Sequence, residues 1–249
     1  MSMRESAHPD AFPLTRHSVV RAMAAADPAV RTAAYDTVVR GYWRPVYAYI
    51  RLRWRRDAED ARDLTQDFFT RALEKAYLVR YEPSKARFRT FVRTCVDAFV
   101  ANAQQHADRL KRGGGCSIES LDFDRAEREL AAHLNAPQPD PDACFRREWV
   151  RGLFSAAVDD LRLRCEQRER TLAFALFTRY DLEGADGDER PTYAGLAQEL
   201  GTTTSNVTNQ LAWARREFRD IVLASLRALC ATDEEFAAEA RALLGAVPQ

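Results

Sequence analysis

The sequence predicts an all-α fold: two helical domains, the second containing a helix-turn-helix, joined by a flexible linker. Three observations carry that expectation. Apolar residues recur at intervals of three and four along most of the 249-residue chain, and few stretches alternate with the period of two that a half-buried strand requires. Residues 116–141 are linker-like in composition and run into NAPQPDPD, where closely spaced prolines oppose a packed helix. Residues 192–219 give a short amphipathic helix, a glycine turn and a second amphipathic helix. The expected domains are therefore 14–115 and 142–249, on either side of a linker at 116–141.

Taken in order, residues 14–26 form a short helix and Pro28 opens the next. A long helix over 29–54 is broken or bent near Gly41 and Pro45, because proline removes an amide donor. It is rich in aromatic residues, from Tyr35 to Trp54, and Trp43 and Trp54 read as packing residues. Residues 57–79 are helical with Ala61, Leu64, Phe68, Ala72 and Leu73 inward. After a turn at Pro83, a helix from Ser84 or Arg87 to Leu110 carries Phe88, Val92, Val96 and Phe99, and Gly113–Gly115 end it. The linker contains a weak helix at 123–134. Further helices are expected at 142–165, 167–180, 192–200, 203–228 and 233–244, with a polar loop at 181–191.

The helix-turn-helix reading rests on named positions. Leu196, Ala197 and Leu200 share one side of the first helix, and Val207, Leu211, Ala214 and Phe218 one side of the second. Gly201 suits the tight turn, and Thr202–Thr204 offer capping hydroxyls. Ser205, Thr208, Asn209, Arg215, Arg216 and Arg219 fall outward, the donor types that suit phosphates and base edges.

Charge is unevenly spread although the formal net charge is zero. Residues 1–115 hold 21 Lys+Arg against 13 Asp+Glu, and residues 116–249 hold 16 against 24. The first part can therefore present a basic face to nucleic acid. Its candidates are Lys85, Arg87, Arg89, Arg93, Arg109, Lys111 and Arg112 around Asn102, Gln104, Gln105 and His106, together with Arg51, Arg53, Arg55 and Arg56 flanking Trp54. On 60–77, Asp60, Asp63, Gln66, Asp67 and Glu74 form a largely acidic strip beside Phe69, suited to a basic partner protein.

Five cysteines and four histidines are too scattered for a structural zinc site and read as free thiols and isolated imidazoles. The sequence has no GxxxxGK[ST], HExxH or GxSxG motif, so neither an enzyme nor a cofactor is expected. No apolar run of membrane-spanning length or signal-peptide type occurs, so the expected location is cytoplasmic, without membrane insertion.

Together these pieces resemble a bacterial sigma-70-type RNA polymerase sigma factor of the extracytoplasmic-function-like class. Residues 43–102 are similar to that family's region 2, most specifically in DLTQDFF at 63–69, and residues 192–219 to its region 4, including LxxARREF at 211–218. The similarity covers 30–112 and 145–225. It implies a promoter-specificity subunit that directs RNA polymerase core to −35 and −10 elements and assists promoter melting in transcription initiation. Asp60, Asp63, Gln66 and Asp67 would meet the clamp helices of the largest catalytic subunit. Asn102, Gln105, Arg109, Lys111 and Arg112 would face the −10 region, and Ser205, Asn206, Thr208, Asn209, Arg215 and Arg216 the −35 region. The stretch VANAQQHADRLKRGGG is less arginine-rich than in many relatives, and the linker is longer and more acidic than a minimal one. Two alternatives stand for the linker: threading toward the polymerase cleft, or folding back on the basic first domain as an autoinhibitory strap. The tail 226–249 caps the second domain or contacts a regulator. The competing function is a regulatory protein that binds polymerase or an anti-sigma factor without reading promoters.

Overall fold

The computed structural model describes residues 19–107, 121–134, 140–186 and 190–245. Within them the chain is all α, with no strand. A short α1 (Val19–Ala22) leads to α2 (Pro28–Arg53), which Asp27 caps by accepting from the Ala29 amide and Pro28 opens. The first half continues with α3 (Ala58–Glu74), a 3₁₀ turn (Tyr77–Arg80) and α4 (Phe88–Ala107). Next come α5 (Phe123–Leu134) and α6 (Pro141–Gln167). The last part holds α7 (Thr171–Phe177), a π turn (Thr178–Leu182), α8 (Glu183–Asp186), α9 (Tyr193–Glu199), α10 (Thr204–Leu229) and α11 (Asp233–Leu244).

The centre of the molecule is α2. Every residue from Tyr42 to Ile50 is buried, so this stretch has no solvent face and needs neighbours all round. On one side Tyr42 lies 6.5 Å from Phe145 and 6.5 Å from Trp149 of α6 (ring centroids), and Tyr49 lies 5.9 Å from Phe145. On another, Trp43 and Tyr47 meet Phe123 of α5 edge-on at 5.1 and 5.2 Å. Phe68 of α3 and Phe88 of α4 complete the same core.

This packing corrects the expectation of two domains joined by a flexible linker. One apolar core runs from α1 through α6 into α10, and the linker's helix is part of it: Phe123, Ala126 and Leu130 of α5 are buried against α2. The physical reason is the aromatic richness of α2, which a bundle built from the first half alone would leave partly uncovered. Charge reinforces the seam. Arg44 of α2 is buried and paired with Glu129 of α5 and, at 3.3 Å, with Glu148 of α6. Arg51 is paired with Glu127 of α5.

Two smaller differences have local causes. The long helix α2 runs through Gly41 and Pro45 without a break, and a Cβ at Gly41 would sit 2.9 Å from a methyl carbon of Leu229, so glycine there lets the end of α10 abut α2. Leu73, expected inward, is exposed, whereas Phe69 is buried edge-on against Phe68 at 5.0 Å. Of the residues that surround Gly201, Leu196, Ala197, Val207 and Leu211 form a second, smaller core with Leu176 of α7.

Candidate nucleic-acid and partner interfaces

The segment read as a helix-turn-helix is built as its sequence dictates. Thr192 caps α9 by accepting from the Gly195 amide at 3.0 Å, and Thr203 caps α10 by accepting from the Asn206 amide at 3.1 Å. Between them Gly201 has φ +60°, the left-handed conformation that glycine adopts without a Cβ penalty. Val207, Leu211 and Ala214 point inward, and Phe218 packs half-buried on Phe177 at 5.1 Å. The opposite side of α10 carries Ser205, Thr208, Asn209, Arg216 and Arg219, all exposed. Arg216 and Arg219 make no ion pair among the described residues.

Two of the singled-out residues on this helix have other partners. The Asn206 side-chain amide donates to the Thr202 hydroxyl at 2.8 Å, tying the turn to the helix. Arg215 donates twice to Asp181, at 2.9 Å each, and once to the Tyr193 hydroxyl at 3.4 Å, with its guanidinium over the Tyr180 ring. The Asp181 hydrogen bonds raise its already high pKa further. Arg215 thus fastens the π turn and α9 to α10, and Arg216 and Arg219 remain the outward cations of this face.

On α3 the acidic strip lies where its register places it. Asp57 caps the helix from the side by accepting from the Asp60 amide at 2.8 Å, and Glu59 and Asp60 sit in the first turn, where the helix dipole favours negative charge. Asp60 and Asp63 are exposed, and Gln66 and Asp67 are half-exposed one turn on. Phe69 is buried and contributes nothing to this surface. At the strip's flank Arg62 reaches Asp124 of α5 at 2.7 Å and lies over Phe123.

The basic residues of the first half are mostly occupied. Arg87 and Arg89, at the start of α4, both donate to Glu239 of α11, the former at 2.6 Å. Arg93 pairs with Asp142 of α6 at 2.7 Å, and Arg51 with Glu127. Trp43 is buried and closed to a base, and half-buried Trp54 donates through Nε1 to Asp97 at 3.1 Å, which anchors its ring edge. Toward the other end of α4, Asn102 is exposed. Arg109, Lys111 and Arg112 lie outside the described residues, as does the side chain of Gln105.

The acidic partners of these arginines were not singled out from sequence. Asp181, Asp142 and Glu239 are distant in the chain from the groups they hold, and the one local signal was the spacing of Glu235 and Glu239 on one face of α11. Cys144, Cys165 and Cys230 are buried free thiols and Cys95 is half-buried; burial pushes the Cys95 thiol up to about 11 and Cys230 to about 12, where neither is nucleophilic. Among the described residues no cluster of His, Cys, Asp and Glu could hold a metal ion, and no helix is long and apolar enough to cross a membrane. No protein-family model, curated protein or solved structure matches the chain.

Proposed function

We propose that this chain is a promoter-specificity subunit that directs RNA polymerase core to −35 and −10 elements and assists melting, without chemistry of its own. The observation that carries the reading is the division of α10. One side seals a small core with α7 and α9, and the other presents Ser205, Thr208, Asn209, Arg216 and Arg219 to solvent. Hydroxyl and amide groups at the start of a helix suit base edges in a major groove, and the two arginines suit the flanking phosphates. Asn206 and Arg215 serve this face by positioning it.

The polar strip of α3 supplies the second contact, with exposed Asp60 and Asp63 and half-exposed Gln66 and Asp67 against the clamp helices of the polymerase. Asn102, Gln105, Arg109, Lys111 and Arg112 would take unpaired bases or phosphates of the −10 region. The site of action is then the cytoplasm, and an anti-sigma or other regulatory protein would act by covering one of these faces.

A second reading has one observation in its favour: Arg87, Arg89, Arg93 and Arg215 are all paired within the chain. It makes the protein a regulator that binds polymerase or an anti-sigma factor without reading DNA. Mixing the purified chain with core polymerase and a library of DNA sequences separates the two. The first reading expects transcripts that start at a fixed distance from a shared pair of motifs. Stable polymerase binding without specific initiation would establish the second.

A further inference from the structure

The C-terminal helix α11 is attached in an unusual way. Only Ala240 among its apolar residues is fully buried, and its other buried residue is Glu239. By comparison α10 buries seven apolar residues. A helix of twelve residues is marginal by itself in water, so α11 depends on what holds it. Half-buried Phe236, Leu243 and Leu244 pack on the main core, and two carboxylates aimed at the start of α4 add to that hold. Glu239 accepts from both Arg87 and Arg89, and Glu235 accepts from the Phe88 amide at 3.1 Å. The other oxygen of Glu235 accepts from the Ala231 amide at 3.0 Å, which fixes the bend between α10 and α11.

We propose that α11 is an autoinhibitory clasp. Glu235 and Glu239 occupy the positions where phosphates of a single-stranded polynucleotide bind Arg87, Arg89 and the Phe88 amide of α4, and α11 must lift off before that strand can bind. The inference rests on the nucleic-acid reading above. Two arginines converging on one anion beside the Phe88 amide at a helix N-terminus is an arrangement that phosphate satisfies as well as carboxylate does. Lifting α11 returns the Glu239 carboxylate to water and uncovers Ala240 with half-buried Phe236, Leu243 and Leu244, a smaller apolar contact than the seven buried residues of α10. Its edge is already open: a crevice lined by Ser84, Lys85, Arg87, Thr232 and Glu234 separates α11 from the turn before α4, and the Arg87 side chain is half-exposed there. Arg93 continues the same basic edge and is held by Asp142, a third carboxylate from the second half.

The test uses the full chain and a fluorescently labelled single-stranded oligo-dT. Glu239→Gln should bind the strand about tenfold more tightly than wild type, the size of a typical coupling between competing contacts. Adding Arg87→Ala and Arg89→Ala to Glu239→Gln should remove that gain. Independently, saturating oligo-dT should strip α11 amides of their hydrogen-exchange protection in the wild-type chain, a readout that does not depend on the variant folding. An unchanged affinity in Glu239→Gln, binding by neither form, or α11 amides that stay protected in the saturated complex would each overturn the clasp. The promoter reading is judged separately: wild type that starts transcripts at promoter motifs while Glu239→Gln gains nothing loses the clasp alone. A gain in Glu239→Gln without any specific initiation upholds the clasp and removes the promoter role.

Discussion

The outward side of α10 and the start of α4 are both polar, arginine-bearing surfaces, yet the fold treats them oppositely. On α10, Arg216 and Arg219 stand in solvent beside Asn209 and Thr208. On α4, Arg87, Arg89 and Arg93 are each met by a carboxylate from the second half of the chain. The difference teaches that an arginine's residue type gives its chemistry, and its tertiary partner decides whether that chemistry is available. Adjacent residues divide the same way: Arg215 is bound to Asp181 and Arg216 is open.

If open charges act on partners and occupied ones on the fold, substitutions should separate the two classes. The largest effect is expected on the acidic side of α3. Reversing Asp63 and Asp67 to lysine should weaken binding to core polymerase by more than about 30-fold, as for the central charges of an interface. Thermal unfolding should change little because Asp63 is exposed and Asp67 half-exposed. Unaltered polymerase affinity in a pull-down titration would remove the docking assignment.

An occupied arginine should behave in the opposite manner. Arg44→Ala takes one arginine from Glu148, which is 2% exposed and keeps Arg151 at 2.7 Å, and one from Glu129. Both carboxylates keep another arginine, so loss of this buried pair should cost less than the about 3–5 kcal/mol of an uncompensated buried charge, read as a lower urea midpoint. Because α2, α5 and α6 share that pair, both halves should unfold in one transition; two separate transitions would restore the picture of independent domains.

The neighbouring pair on α10 gives a finer contrast. Arg216→Ala with Arg219→Ala should lower affinity for promoter DNA and reduce the slope of log affinity against log salt by about two. Arg215→Ala should leave that slope nearly intact and speed hydrogen exchange in 178–182, which Asp181 anchors. Equal slopes for the two variants would erase the distinction. The smallest effect is a pH response in α5. The Arg51 hydrogen bond holds the Glu127 carboxyl below its ordinary value, with the Tyr47 hydroxyl at 2.6 Å assisting. A lowered carboxyl pKa stabilises the fold fully above the unfolded value, about 4.3, and that stability goes as pH falls through the folded value. Protection of α5 amides should therefore hold from neutral pH to about pH 5 and decline in stronger acid. A decline already near neutrality would mean other groups hold α5.

Local order was legible in the sequence. The last helix was expected at 233–244 and is Asp233–Leu244; the linker helix was expected at 123–134 and is Phe123–Leu134. Helical period, threonine caps and Gly201 specify such elements from nearby residues alone. What α5 does was not legible, although Phe123, Ala126 and Leu130 share one helical face, because its partners Trp43 and Tyr47 are some eighty positions away. The same holds for α2, whose residues 42–50 are buried on every side and so give no amphipathic direction to identify a neighbour. For the candidate sites, exposure along α3 and α10 followed from register, whereas pairing of Arg87, Arg89 and Arg215 depended on distant carboxylates. Leu73 was misplaced because periodicity marks an apolar residue near the buried side without showing where the neighbour ends.

The central claim is that the outward side of α10 meets duplex DNA while the chain is bound to polymerase. A photo-crosslinking residue placed at Asn209, in the complex of chain, core polymerase and a promoter that it initiates from, tests this most directly. The account predicts crosslinks confined to a short duplex segment upstream of the start site. Initiation from that promoter with Asn209 crosslinked only to protein, or to nothing, would contradict it.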